Sequence, residues 1–439
     1  MLPLEKSLAM QMKAKELIPG MTQLLSKRPD MFSLGVWPGY YSRAKGCTVW
    51  DLDGNEYTDM SISGIGANIL GYADDEVDDA VIEAIRRGSS SSLNCAEEVE
   101  LAELLCELHP WASMARFTRS GGEAMTVAVR IARAHTKRDK IAFCGYHGWH
   151  DWYLAANLGT ENALGEHLIT GLDPRGVPQG LKGTAFPFRF NQTEELQEIA
   201  KAHGNELAAV VLEPIRNSSP TPDFVQGVRD IADACGAVLI VDEISSGFRM
   251  NTGGAHLVLG YEPDIAVFSK SLGNGYPIGA IIGKGEVMQS AQKTFISSTC
   301  WTERTGPAAA LAMIRKHRRE NVGPRLVKLG ECVQEGWKGL LAKHGMPGRV
   351  GGMPPMSHLD FDTPNPQEAQ AFLVQSMLEE RFLASGSYYA MNAHGMSDVQ
   401  GYLGSIDRVL EKLSKALNEG GLGTLLFGDP SSVGFKRLA

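Results

Sequence analysis

Four short apolar runs in the middle of the chain constrain its fold more than any other feature. They span residues 208–212, 238–241, 265–268 and 280–282 and consist of β-branched and other apolar residues. Runs of this length without polar alternation are typical of strands buried on both faces. Helical spacing of apolar residues appears between two of them, over 225–235. The pattern therefore predicts an α/β fold with a large, mostly parallel sheet covered by helices.

The ends of the chain differ from this middle region. The segment around Asp53-Gly54 reads as two short strands joined by a turn. Near the other end, a helical stripe runs from Val399 to Leu417, preceded by a capping box of Ser397 and Gln400. We expect a smaller α+β domain over 320–439, an N-terminal segment, 1–65, that packs with it, and a large domain over 66–319.

Composition excludes several classes of protein. The 439 residues carry a net charge of -9, which argues against nucleic-acid binding. Seven scattered cysteines without a Cys-x-x-Cys pair are typical of a reducing compartment. No apolar run approaches the roughly 18 residues of a membrane span, and charges interrupt the N-terminus. We therefore expect a cytoplasmic protein with neither nucleic acid nor membrane as a partner.

Three charged residues follow the predicted strands directly. Glu213 follows "LAAVVL", Asp242 follows "AVLIV", and Lys270 follows "IAVFS". Ligands of open α/β sheets bind beyond the carboxyl ends of the strands, where all three residues would meet. Asp242 and Lys270 could form a structural ion pair. Alternatively, a desolvated lysine can attack carbonyls, and pyridoxal 5'-phosphate (PLP) needs such a lysine together with an acid for its pyridinium nitrogen.

PLP also needs a cradle for its phosphate. Ser120, Gly121 and Gly122 stand directly before a predicted helix over 123–134. Glycines let backbone N–H groups approach a phosphate, and the positive end of a helix dipole favours the anion. The same three residues could also be an ordinary loop and helix cap.

The faces of a flat ring require covering side chains. Tyr146 or His147 could stack on one face, and Ile244 could cover the other. Cys144, His147 and His150 also have a spacing that metal ligands can use, but no other matching ligand set is visible, so no metal is predicted.

Glycines close to Lys270 raise the question of a nucleotide site. Gly273, Gly275 and Gly279 have the wrong spacing for a dinucleotide fingerprint, and Pro277 is unsuited to the helix that should follow. The Gly-Lys-Ser/Thr of a P-loop is absent. Neither kind of nucleotide site is predicted.

Taken together, the motifs resemble those of class III (subgroup II) aminotransferases, which are fold-type I PLP enzymes. The glutamate-1-semialdehyde aminomutases are similar members of that group. Five stretches occur in the family's order: "SGGEAMTVAVRIARAHTKRDKI", "YHGWHD", "VVLEPI", "VDEISSGFR" and "FSKSLGNGYPIGA". The resemblance covers most of residues 30–315 strongly and the C-terminal part weakly.

The resemblance implies specific roles. Lys270 would hold PLP as a Schiff base and shuttle the proton, and Asp242 would pair with the pyridinium. Ser120, Gly121 and Gly122 would bind the phosphate. In the same site, side chains around the ring would include Tyr146, His147, Glu213 and Ile244.

The resemblance also implies a homodimer with shared active sites, in which a threonine of one subunit completes the other's phosphate site. Here the family pattern is altered to "SSTCWTERTGP". Thr299 matches the threonine if three residues are inserted, and Thr302 matches if the spacing from Pro307 is kept. Both remain candidates.

A small-molecule amine donor and carbonyl acceptor are implied as substrates. The "TERTGP" and "LSKRP" segments resemble enzymes that aminate sugar or aminocyclitol carbonyls, so we expect a primary aldehyde on a sugar- or aminoglycoside-like molecule. An aminomutase or a PLP-dependent epimerase would use the same lysine. A PLP-free binding or scaffold protein is disfavoured because Lys270 and Asp242 are both present.

Overall fold

The computed structural model describes residues 2–434. Its strands are β1 (Tyr41–Lys45), β2 (Thr48–Asp51), β3 (Glu56–Asp59), β4 (Met114–Thr118), β5 (Lys140–Cys144), β6 (Ala185–Pro187), β7 (Leu207–Leu212), β8 (Val238–Asp242), β9 (Ile265–Phe268), β10 (Gly279–Gly283), β11 (Gly348–Gly351), β12 (Met356–Phe361), β13 (Phe382–Leu383) and β14 (Ser387–Tyr389).

The helices are α1 (Glu5–Leu17), α2 (Ser63–Gly66), α3 (Asp75–Arg86), α4 (Ala96–Leu108), α5 (Gly121–Thr136), α6 (Asp151–Leu154), α7 (Ala156–Gly159), α8 (Thr193–His203), α9 (Pro222–Cys235), α10 (His256–Leu259), α11 (Gly285–Met288), α12 (Thr305–Arg319), α13 (Val322–Lys343), α14 (Pro366–Glu379) and α15 (Met396–Glu419). No helix among residues 2–434 is long and apolar enough to cross a membrane.

The chain divides into two compact units. One comprises Asp75–Pro324, and the other combines the residues up to Asp74 with those from Arg325 onward. The domain boundaries at 65 and 319 remain predictions from the sequence.

The unit Asp75–Pro324 is built on a seven-stranded sheet with the order β4-β10-β9-β8-β7-β5-β6. Strands β6, β5, β7, β8 and β9 pair in parallel, whereas β10 pairs antiparallel with both β9 and β4. Every residue of β7, β8 and β9 is buried, as expected for strands covered on both faces. The predicted α/β fold with a mostly parallel sheet is confirmed.

Helix α5 packs on this sheet because its apolar residues recur on one face. Its N-cap is Ser120, whose hydroxyl accepts from the Glu123 backbone N–H while the Glu123 carboxylate accepts from the Ser120 N–H. This capping box satisfies donors that the first turn would otherwise leave open. The helix ends at Lys137, which takes the left-handed conformation common at helix C-termini.

The second unit carries two small sheets, with orders β1-β2-β3-β13 and β11-β12-β14. Strands β2 and β3 form the predicted antiparallel pair around Asp53-Gly54. The predicted capping box of Ser397 and Gln400 is wrong. Helix α15 begins at Met396, and the carboxylate of Asp398 accepts from the backbone N–H of Gly395 at 2.7 Å. An ionised carboxylate is the stronger acceptor at a helix N-terminus, which explains the difference.

Candidate active site

One edge of the seven-stranded sheet gathers three charged side chains. Glu213, Asp242 and Lys270 follow or end the neighbouring parallel strands β7, β8 and β9. Parallel strands bring their carboxyl ends to the same edge, and the charges of Glu213 and Asp242 both act on the Lys270 amine. The sequence-based expectation that the three residues meet is therefore confirmed.

Lys270 lies in the first turn after β9 and is half-buried. Its Nζ donates a hydrogen bond to the hydroxyl of Ser245 at 2.7 Å. Burial lowers the pKa of the Lys270 amine below its ordinary value, because the charged form loses hydration. A lysine with a lowered pKa presents more neutral amine near neutral pH, which is the form that reacts with carbonyls.

Asp242 is almost fully buried and is held from two sides. Its Oδ2 lies 2.7 Å from Nδ1 of His147, and its Oδ1 accepts from the backbone N–H of Ile244 at 3.0 Å. The other ring nitrogen of His147, Nε2, faces the backbone oxygen of Cys144 at 3.2 Å. Both ring nitrogens therefore face oxygen atoms, and the shorter contact pairs His147 with Asp242. This pair fixes the carboxylate at the sheet edge.

Glu213 organises the loop that carries Tyr146. One oxygen, Oε2, accepts from the Tyr146 backbone N–H at 3.0 Å and from Arg216 Nη1 at 3.1 Å. A Cβ at Gly145 would lie 2.5 Å from the same oxygen, so only glycine permits this approach. Burial raises the pKa of the Glu213 carboxyl above its ordinary value. Glu213 thus positions the backbone of the loop in addition to lying near Lys270.

The candidate ring-covering side chains differ in their availability. Tyr146 is 37% exposed, whereas His147 is buried behind Asp242. Between these two, only Tyr146 is free to cover a ring, and its stacking remains a prediction. Ile244 reaches toward Gly121, where an added Cβ would lie 2.9 Å from its Cδ1. Ile244 and the proposed phosphate cradle therefore adjoin.

The N-terminus of α5 offers two donors. Among the described residues, nothing accepts from the backbone N–H groups of Gly121 and Gly122. A Cβ at Gly122 would lie 2.9 Å from the His150 ring, so a side chain there would fill the space next to the helix end. The Ser120 hydroxyl lies 3.1 Å from the Glu123 carboxylate and would have to turn from it to reach a phosphate. The two open N–H groups and the helix dipole fit a phosphate group.

Thr299 and Thr302 share one exposed 3₁₀ turn. The hydroxyl of Thr302 donates to the backbone oxygen of Thr299 at 3.1 Å. The choice between them remains open. Within residues 2–434 no three His, Cys, Asp or Glu side chains cluster as metal ligands.

Sequence reasoning missed Ser245 and the partner of Asp242. Ser245 stands three residues after Asp242 in "VDEISSGFR", which placed it near the site without indicating its contact. The His147–Asp242 contact joins residues 95 positions apart, and only the sheet order brings them together.

Comparison with known proteins relates the whole chain to class III aminotransferases. Residues 35–390 match the family model "Aminotransferase class-III". A 3-aminobutyryl-CoA aminotransferase of Cloacimonas acidaminovorans is 34% identical, over 82% of this chain and 84% of its own length. A 2'-deamino-2'-hydroxyneamine transaminase of Streptomyces kanamyceticus is 31% identical, over 89% of this chain and 93% of its own.

A glutamate-1-semialdehyde 2,1-aminomutase of Sulfurihydrogenibium sp. is also 31% identical, over 86% of this chain and 92% of its own. Among solved structures, one described as a transaminase with PLP bound superimposes with a TM-score of 0.84 at 27% identity. The superposition covers 95% of this chain and all of that one.

Proposed function

We propose that this chain, which belongs to the class III aminotransferase family and is a PLP-dependent transaminase, acts on a primary aldehyde of a sugar- or aminoglycoside-like molecule. The reaction moves an amino group between a small-molecule amine donor and a carbonyl acceptor. The assignment of the chemistry rests on one observation. Lys270, whose pKa is lowered, and the buried Asp242 lie at the same edge of the sheet.

PLP fits the residues at this edge. When bound, it supplies an aldehyde carbon that takes up amines and a protonated ring that withdraws electrons from the substrate carbon. Lys270 would hold the aldehyde carbon and Asp242 the ring nitrogen. The N–H groups of Gly121 and Gly122, with Ser120 once it releases Glu123, would hold the phosphate. Tyr146 and Ile244 would cover the two faces of the ring.

Proton transfer is the task of Lys270. With its pKa lowered by burial, Nζ can take a proton from the substrate carbon and later return it. Asp242, fixed by His147, would keep a negative charge opposite the ring nitrogen. Glu213 would keep the Tyr146 loop in place through the backbone.

The substrate class is supported by the Streptomyces kanamyceticus relative, whose name describes an aminoglycoside-type transaminase. A net charge of -9 is compatible with a cationic substrate of that kind. The Cloacimonas relative is named for 3-aminobutyryl-CoA, which is an amine and not a sugar, so substrate identity is the part of the proposal that most needs a test.

We also propose a cytoplasmic homodimer in which two copies share their active sites through Thr299 or Thr302. The exposure of both threonines supports the shared site, and the free state of all seven cysteines supports a reducing compartment. Sedimentation of the purified protein would test the dimer.

The decisive experiment compares Lys270→Ala with the control Lys182→Ala, whose lysine is exposed. Wild type and the control should hold PLP that borohydride fixes to the peptide containing residue 270, and should aminate members of a sugar-aldehyde panel. Lys270→Ala should lose both the fixed label and activity. Unchanged labelling in Lys270→Ala would refute the role of Lys270, and amination of simple aldehydes alone would refute the sugar-like acceptor.

An aminomutase is the second candidate, because the Sulfurihydrogenibium relative carries that name; a PLP-dependent epimerase would share the lysine. An isotopically labelled amine donor separates these reactions. A transaminase incorporates the donor's nitrogen into product at each turnover, whereas product formation without donor consumption would exclude net amine transfer.

A further inference from the structure

We propose that Ser245 is a positioning residue that holds the free amine of Lys270 and sets its direction while the substrate reacts. The inference rests on the proposed role of Lys270 and deepens it by assigning a second residue to proton transfer.

The contact itself is direct. The Nζ of Lys270 donates to Oγ of Ser245 at 2.7 Å, a distance typical of a strong hydrogen bond. Ser245 follows Asp242 by three residues, in the loop after β8, so one loop supports both the lysine and the aspartate. No other hydrogen bond of this amine occurs among residues 2–434.

Ser245 is anchored independently of the lysine. Its backbone oxygen accepts from Nε of Arg249 at 2.7 Å, and Arg249 is fully buried. Because this backbone is anchored, the hydroxyl oxygen can move only by rotation about the Cα–Cβ bond, and one of its few rotamers places it against the amine.

The turn that carries Lys270 is tied to the same loop by a second bond. The hydroxyl of Ser271, which is fully buried, donates to the backbone oxygen of Gly247 at 2.8 Å. Lys270 has a φ of 43°, a left-handed conformation that is uncommon for lysine and must be held by its surroundings. Ser271 therefore restrains the backbone, whereas Ser245 restrains the reacting end of the side chain.

The restraint that Ser245 places on the Lys270 amine has a chemical consequence. A lysine side chain has many rotamers. An amine that exchanges among them loses alignment with the carbon whose proton it must move. When Nζ donates one hydrogen to Ser245, its lone pair points away from that oxygen, which leaves it available for a proton. Because the hydroxyl accepts, it also stabilises the protonated amine more than the neutral one.

The first test uses cofactor-free protein and measures the pH dependence with which acetic anhydride labels Lys270, read by mass spectrometry of its peptide. In Ser245→Ala the midpoint of labelling should move down by about one pH unit, since the lost hydrogen bond favoured the charged amine. Ser271→Ala, the matched control on the same two loops, should leave the midpoint near that of wild type. A midpoint unchanged in Ser245→Ala, or moved equally in Ser271→Ala, would overturn the inference.

The second test uses the PLP-loaded enzyme and an isosteric pair, Ser245→Thr and Ser245→Val, in case the alanine variant folds poorly. The valine variant should lose about tenfold in kcat with the donor KM unchanged, and the threonine variant should recover most of it, because only threonine keeps the hydroxyl. Equal kcat in both variants would overturn the inference. A wild type that fixes no PLP on Lys270 would instead refute the proposed function, so the two failures are distinguishable.

Discussion

Two adjacent carboxylates at the end of β8 each contact a histidine ring, but they lie in different surroundings. Asp242 Oδ2 lies 2.7 Å from a ring nitrogen of His147, and Glu243 Oε1 lies 2.7 Å from a ring nitrogen of His256. All four side chains are buried. Yet Asp242 shares its sheet edge with Lys270, whereas Glu243 is enclosed by core residues.

The surroundings of Glu243 leave it no capacity for chemistry. Its Oε1 also accepts from the backbone N–H of His256, and its Oε2 accepts from Ser246. Trp111 donates to the far nitrogen of His256, and the ring of His109 stacks on His256 at 5.4 Å. Burial alone would raise the pKa of Glu243, but the bonds from His256 and Ser246 bring it below its ordinary value. Consecutive residues at a strand end point to opposite sides, so Asp242 lies at the candidate site and Glu243 lies in the core.

The largest expected effect comes from Asp242→Asn. The amide keeps the shape but loses the charge opposite the ring nitrogen, so kcat should fall about a thousandfold, if a buried ion pair is worth about 4 kcal/mol. The melting temperature should change little. Single-turnover kinetics with an amine donor and a thermal melt measure the two quantities. Activity within a few-fold of wild type would show that Asp242 is not the ring partner.

Glu243→Ala should lower the stability of the fold, whereas Asp242→Asn should lower kcat. Glu243→Ala leaves the donors of His256 and Ser246 buried without an acceptor, so the free energy of unfolding should fall by about 3–5 kcal/mol. The fraction that remains folded should still bind PLP. Urea titration measures the loss, with exposed Glu206→Ala as a control that stays near wild type. A stable but inactive Glu243→Ala would contradict the division between the two carboxylates.

The comparison extends to His147 and His256, the histidines that contact the two carboxylates. His147→Gln should lower both kcat, by about tenfold or more, and the free energy of unfolding, because a buried hydrogen bond to a charged group is worth about 1.5–3 kcal/mol. His256→Gln should also lower the free energy of unfolding, by about 2 kcal/mol, but leave kcat per folded molecule unchanged. Equal effects of both variants on kcat would mean that the two pairs are one functional network.

The last comparison changes the pH instead of a residue. Burial lowers the pKa values of His109, His167 and His317 to about 4 from an ordinary 6.5. The unfolded chain therefore binds more protons between those values, and stability present above pH 6.5 is lost as pH falls toward 4. The melting temperature should drop by about 5 °C between pH 7 and pH 5. His109→Gln, next to the Glu243 pair, should flatten this profile, and an unchanged slope would contradict the assignment.

Much of the site could be predicted from local sequence. The strands before Glu213, Asp242 and Lys270 are continuous apolar runs, and the two glycines that begin α5 mark an open helix end. The cap predicted for α15 was wrong because Ser397 and Asp398 are adjacent and both can cap a helix. Which of them does so depends on the residue at which the helix begins. Contacts between distant segments were beyond sequence patterns, since a side chain's partner depends on strand order and loop path.

By itself, the sequence determined the class of sheet, the order of the motifs and the candidate residues at the sheet edge, because periodicity and the residue at a strand's end are local properties. Only the tertiary structure decided that His147 lies behind Asp242 instead of on an open face, that Ser120 is engaged with Glu123, and that Ser245 holds the Lys270 amine. Each of the three is a choice of hydrogen-bond partner. Such a choice depends on which donors and acceptors the fold brings within about 3 Å, and composition and spacing do not encode that distance.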